Sequence, residues 1–245
     1  MSSERTAMSI GIEHNRDLSA RLASLLTNAS IVSVMEQQPV RWRPAAWQDR
    51  WRARKLPHPQ VLDELQQEYA AHGTIRRSFV FTYHNRAAVE LFIAVMAWGL
   101  GPDNRGPAKA DRILELPDAA TAIEAVVNSV RQDGAAAGYS TYYSGHKLPR
   151  LDVAFITKLL YFAGYQAERR PRPLIYDSLV ATAVVRLPDA PLLPWLGEGV
   201  KVRATAYEQY CCWVEKTAAA YGTEPTILEW ALFSLGGQIR NELRA

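Results

Sequence analysis

The chain has 245 residues, 48% of them hydrophobic, so it can bury a full core as one domain or as two closely packed lobes. Its formal net charge is only +3, which by itself marks no nucleic-acid binder, and no run approaches the roughly 18 apolar residues of a membrane-spanning helix. The polar start MSSERT is no signal peptide, and the two cysteines, Cys211 and Cys212, are adjacent, which argues against a disulfide framework and a four-cysteine iron–sulfur cluster. The expectation is a cytoplasmic monomer away from membranes, without cofactor or metal, since the histidines (His14, His58, His72, His84, His146) are scattered.

Leucines at helical spacing between Arg16 and Leu26 predict a first helix, and Ile31 to Met35 is extended or helical. From Arg41 to Lys55, six basic residues against one acid, Asp49, interleave with Trp42, Trp47 and Trp51. That mixture suits phosphate contacts, making Arg50, Arg52 and Arg54 candidate DNA-binding residues. It equally suits a surface segment whose tryptophans anchor in the core. Pro39, Pro44, Pro57 and Pro59 interrupt the stretch and predict a connection that wraps the surface.

Pro59 to His72 is an amphipathic helix ended by Gly73. Thr74 to Tyr83 has β propensity, but its helical surroundings favour a helix or an irregular bridge. A long helix runs from Asn85 to Ala97 and stops at Trp98-Gly99-Leu100-Gly101-Pro102. After a polar loop a helix restarts at Ala108 and runs to Leu116, and Asp118 caps another from Ala119 to Gln132. Gly134 to Gly145, with three tyrosines, is flexible or a short helix.

The most informative part is Val153 to Gly164, apolar on nearly every side and reading as a buried helix of about three turns. Its only charge is Lys158, whose helical neighbours are Ala154, Phe155, Tyr161 and Phe162. An ammonium there requires either a partner or a purpose. Nineteen residues later, Asp177 opens a second apolar helix, Ser178 to Arg186, as its natural N-cap, held rigidly and kept ionised by the helix terminus. Spacing alone leaves two readings open: a buried ion pair with an ordinary cap, or a catalytic pair. Leu187 to Gly199 is proline-rich and non-helical. Val202 to Ala220 forms a helix with Tyr207, Tyr210, Trp213 and Val214 on one face, and Pro225 opens a final helix to Leu243.

The sequence around this lysine and aspartate, FITKLLYFAG followed by LIYDSLVATAV, resembles the helix-hairpin-helix DNA glycosylase superfamily, within it the bacterial 8-oxoguanine-glycosylase-fold proteins. The likeness extends over roughly Phe79 to Gly236. It implies an all-α fold of two helical lobes around a cleft, an amino-terminal part (1–78) holding the basic Arg/Trp segment, and a helix-hairpin-helix core (79–245). It also implies an enzyme that acts on double-stranded DNA, extrudes a base and cuts its N-glycosidic bond, with a strand nick as a further step. The family's nucleophile carries over to Lys158 and its essential carboxylate to Asp177.

Other roles follow from the same resemblance. Asn104 and Arg105 fall in the loop that, in relatives, fills the gap left by the extruded base; a simple helix-to-helix turn is the alternative, which explains the Gly and Pro but not the preceding Trp98. Phe162, one helical turn after the lysine, lines the base, while Phe233 stacks on it. Glu229 stands where 8-oxoguanine enzymes carry an amide that reads the base edge; a carboxylate only accepts hydrogen bonds and favours edges rich in donors, such as the cytosine amino group. On residue type alone Glu229 equally suits a solvated helix position. The hairpin from Leu148 to Val153 lacks the family's two glycines. Arg150 and Asp152 stand there instead, and Lys147 and Arg150 supply positive charge for a phosphate. Members of this bacterial group remove either 8-oxoguanine or hypermodified phage bases such as glucosylated hydroxymethylcytosine. Glu229, the altered hairpin and the lack of a recognisable β domain favour the second substrate. A catalytically silent DNA-binding module is the alternative of a different class, against which the retained Lys158 and Asp177 argue.

Overall fold

The computed structural model describes residues 17–37, 40–187, 190–191 and 204–244. Among these are thirteen helices and no strand, the only β pairing being a single antiparallel bridge between Val40 and Ile75. Helix α1 covers residues 17–27 and turns Leu18, Leu22 and Leu26 inward, as their spacing dictates. Then come α2 (Ile31–Gln37), α3 (Pro44–Arg54), α4 (Pro59–His72) and the one-turn α5 (Arg77–Phe81). Gly73 ends α4 in the left-handed conformation, φ 69°, with its N–H donating to the Tyr69 carbonyl.

The centre of the molecule is built from α6 (Ala88–Leu100) and α10 (Val153–Gly164), each apolar apart from one charge, Glu90 and Lys158. Leu91 to Trp98 and Ile156 to Gly164 are buried without interruption, so both helices have neighbours all round. Between them lie α7 (Gly106–Leu114), α8 (Ala119–Asp133) and α9 (Ala135–Gly145). Short α11 (Ser178–Val184), α12 (Ala204–Ala220) and α13 (Pro225–Glu242) complete the fold. Buried side chains from Leu18 to Ile239 belong to one hydrophobic cluster. No described helix is long and apolar enough to cross a membrane.

Three expectations change. The Arg/Trp stretch is helix α3 rather than a wrapping connection, because Pro44 occupies the first helical turn, where a missing N–H costs nothing. Its tryptophans belong to the core: Trp42, Trp47 and Trp51 are all buried, and the last two stack with centroids 5.5 Å apart. Asp118 precedes α8 without making a side-chain cap, its φ of −99° and ψ of 7° lying outside the extended geometry that capping uses. Helix α6 starts at Ala88, three residues later than expected, and runs on to Leu100, where Gly101 turns the chain with φ 53°. Residues 192–203, which include most of the proline-rich segment and Val202, lie outside the described residues.

One close approach positions the later helices. A Cβ on Gly236 would stand 1.9 Å from the Leu179 carbonyl oxygen, so only glycine lets α13 pack against the start of α11. That contact brings Glu229 and Phe233 on α13 toward Asp177.

Candidate active site

Lys158 and Asp177 meet. The Lys158 ammonium donates to Asp177 Oδ2 at 3.1 Å, while the other carboxylate oxygen, Oδ1, accepts the N–H groups of Leu179 (3.0 Å) and Val180 (3.1 Å). One oxygen therefore anchors the aspartate to its helix and the other faces the lysine. Only 10% of the Lys158 side chain and 13% of the Asp177 side chain is exposed, which leaves each reachable from one side. Burial pushes the Asp177 carboxyl up, but the Lys158 charge and the Val180 and Leu179 N–H groups outweigh it and hold the carboxyl below its ordinary value.

The register of the pair is set by its immediate neighbours. Thr157 Oγ1 accepts the Tyr176 N–H at 3.0 Å, tying α10 to the extended segment before Asp177. From the other side, Tyr207 and Tyr210 of α12 donate their hydroxyls to the Leu174 and Ile175 carbonyls, both at 2.8 Å. Segment 174–176 has no sheet to satisfy its backbone, and these side chains take that role. The aromatic face of α12 is legible in the sequence; what its hydroxyls hold is not.

The two residues open into a cavity of about 280 Å³, the size of a small-ligand site. Its walls are Val40, Trp98, Gly99, Ile175 and Phe233, with Arg77 and Glu229 as a second charged pair. A Cβ on Gly99 would come 2.9 Å from the Phe155 ring and 3.1 Å from Lys158 Cδ, so glycine keeps room for the lysine. An open depression adjoins the cavity and shares Val40, Trp98 and Gly99 with it, continuing along Arg41, Gly101 and Pro102.

Arg77 is absent from any sequence expectation. Fully buried, it donates from Nη1 to Glu229 Oε2 at 2.8 Å, to Thr226 Oγ1 at 3.1 Å and to the Tyr161 hydroxyl at 3.2 Å. Its guanidinium lies against the Trp98 and Tyr161 rings, 5.4 and 5.2 Å from their centroids. Glu229 is only 1% exposed, so the solvated-position reading is excluded. Burial pushes its carboxyl above the ordinary value, against the opposing pull of Arg77. The only sequence signal for Arg77 is an arginine pair, Arg76-Arg77, entering an apolar run.

Phe233 lines the cavity, whereas Phe162 does not: with no exposed surface, it packs behind Trp98, edge to face at 5.2 Å, and it is Trp98 that reaches the wall. The remaining predicted residues lie outside the cavity. Asn104 and Arg105 are exposed in the loop after Gly101; Arg43 donates to Asn104 Oδ1, and Arg105 pairs with Asp103 at 3.0 Å. Lys147 and Arg150 are exposed in the connection between α9 and α10. Arg150 adopts the left-handed conformation itself, φ 68°, where a glycine is the usual choice, and Asp152 caps α10 by accepting the Phe155 N–H at 3.3 Å. Arg50 and Arg54 reach across to α7, Arg50 to the fully buried Asp111 and Arg54 to Glu115 at 2.9 Å, while Arg52 is exposed beside Asp49.

An all-α chain that sets a lysine against a helix-capping carboxylate, at the mouth of a cavity of about 280 Å³, has the parts of a base-excising enzyme. Comparison with known families agrees: residues 33–233 match the family described as "Putative 8-oxoguanine DNA glycosylase OGG-like protein". The chain belongs to that family, and is accordingly a DNA-binding DNA glycosylase. No curated protein and no solved structure matches it.

Proposed function

We propose that the protein extrudes a hypermodified cytosine from double-stranded phage DNA, with glucosylated hydroxymethylcytosine as its substrate, and excises it in an anti-phage role. The observation that carries this reading is Glu229, a carboxylate rather than an amide at the cavity wall, fixed in place by Arg77. Paired with that guanidinium, it accepts the cytosine amino group, and the wall beside it offers Phe233 for stacking. A sugar on C5 finds room in the adjoining depression past Gly99, with Arg41 available to its hydroxyls.

Extrusion costs a few kcal/mol of stacking and pairing, recovered in the pocket and by Asn104 and Arg105 entering the gap. As the N-glycosidic bond breaks, its electron pair leaves with the base and positive charge grows on the sugar. Asp177, anchored by two backbone N–H groups, stabilises that charge. The departing base takes up a proton from the Lys158 ammonium, the freed amine attacks C1′, and the C1′–O4′ bond then opens with one amine proton passing to O4′, which leaves a Schiff base. Hydrolysis then gives an abasic site, and β-elimination a nick. Lys147 and Arg150 contact phosphate beside the hairpin, and exposed Arg52 is available to the flanking duplex. Division at residue 78 would run through this site, since Val40 and Arg77 line it from one side of that boundary and Lys158, Asp177 and Glu229 from the other.

The test is incubation with genomic DNA from bacteria and from phages with differently modified cytosines, the released bases being measured by mass spectrometry. The glucosylated base should be released while plain cytosine stays, because polar groups built to meet sugar hydroxyls reject a base that leaves them unpaired. The family description favours a second reading, 8-oxoguanine repair. Release of 8-oxoguanine with untouched phage DNA would establish that reading, and tight binding without any release would make the protein a silent binding module.

A further inference from the structure

Outside the cavity, on the side of the hairpin, a second lysine approaches Lys158. Lys109, on α7, lays its ammonium over the Phe155 ring, 4.0 Å from the centroid. The Lys158 ammonium lies against the same ring at 5.8 Å, so the two amines share one phenyl. Only 21% of the Lys109 side chain is exposed. Its nearest carboxylate is Asp152 at 3.8 Å, which is longer than a hydrogen bond, is 65% exposed, and already caps α10. Burial depresses the Lys109 ammonium below its ordinary value, partly offset by Asp152 and reinforced by Lys158. A cation set in this way is loosely paired and poised for a stronger anion. Lys109 thus approaches Asp152, at the end of the segment that carries Lys147 and Arg150, and shares the Phe155 ring with the reacting amine.

We propose that Lys109 is a positioning residue that holds a backbone phosphate of the nucleotide whose sugar meets Lys158. The inference rests on the glycosylase reading. A deoxyribose delivered to Lys158 brings its two phosphates with it, and these are the only charges fixed relative to C1′. Holding one by an ammonium whose stem is packed on Phe155 fixes the sugar against the amine, as an effective near-attack geometry requires. Asp152 serves as the resting partner, released when the phosphate arrives. The hairpin can then contact a neighbouring phosphate, giving the strand two points of attachment along α10.

The test uses the full chain as wild type, Lys109→Met, which keeps the packed stem, and Lys109→Arg, which keeps the charge. Each is titrated with a duplex carrying a tetrahydrofuran abasic analogue, and with duplexes in which either flanking phosphate is replaced by a neutral methylphosphonate. Lys109→Met should bind the parent duplex about tenfold more weakly, with a salt slope lower by about one unit, while Lys109→Arg stays near wild type. One methylphosphonate should weaken the wild type by a similar factor and leave Lys109→Met unchanged. A Lys109→Met protein that keeps the wild-type salt slope and responds to both methylphosphonates as the wild type does overturns the proposal. Failure of the glycosylase reading looks different: the wild type itself would not prefer the abasic duplex over plain duplex, and the proposal would fall with it.

Discussion

Two ion pairs face one cavity, and they differ in what their cations can do. Lys158–Asp177 is partly exposed and joins a lysine, which can lose its proton and become a nucleophile; Arg77–Glu229 is fully buried and joins a guanidinium, which cannot. Each carboxylate in these pairs is held by a neighbour, but by different means. A helix terminus fixes Asp177, leaving the lysine beside it free to react. Glu229 is fixed by the cation itself, so that pair can recognise a ligand without entering the chemistry. On the proposed function, burial and choice of cation divide the cavity into a reacting end and a reading end.

The largest expected effect of breaking this division is on stability. Arg77→Met leaves Glu229 buried and unpaired and should cost about 3–5 kcal/mol in urea unfolding. The double variant with Glu229→Met removes both charges and should recover most of that loss. Strictly additive losses would mean that the two side chains act independently. Lys158→Met should cost less stability than Arg77→Met, because Asp177 keeps its two backbone donors and some contact with water, yet it should abolish borohydride trapping on an abasic-site duplex.

A smaller effect separates the carboxylates by pH. The folded protein holds Asp177 below its ordinary value of 3.8, so this group contributes stability that is fully present above pH 3.8 and is lost as pH falls through the lower folded value. Glu229 has the opposite sign, raised by burial, so its charged form weighs against the fold as pH rises past its ordinary 4.5. The stability difference between wild type and Asp177→Asn should therefore be present at pH 7 and shrink in acid, measured as unfolding midpoints across pH. A difference that is constant down to pH 2 would show that Asp177 is not held ionised by its surroundings.

The lysine–aspartate pair was legible in the sequence and the arginine–glutamate pair only in part, for physical reasons. An uninterrupted apolar stretch with one charge has few interpretations, and α10 spans Val153–Gly164 as its composition dictates. A polar residue before an apolar run is a cap by local chemistry, so Asp177 could be placed without tertiary knowledge. Arg77 could not. Its burial depends on Glu229, 152 positions away, and on two aromatic rings from other helices, none of which leaves a local mark. Trp98 was noted as the end of a helix, but whether it or Phe162 reaches the cavity depends on how α6 lies against α10. The α3 tryptophans teach the same lesson: an arginine-rich composition suggests surface, while the indoles between the arginines decide which face packs inward.

The central claim is that Asp177 and Lys158 form one catalytic unit rather than a cap and its neighbour. The most direct measurement is single-turnover base excision by Asp177→Asn, normalised to the folded fraction, alongside its affinity for the same duplex. Asparagine keeps the shape and most of the capping ability but not the charge. The account predicts a folded protein with near wild-type binding and an excision rate lower by about 10²–10³. A variant that loses stability but excises at the wild-type rate per folded molecule would contradict it, leaving Asp177 a helix cap and Lys158 its ion-pair partner.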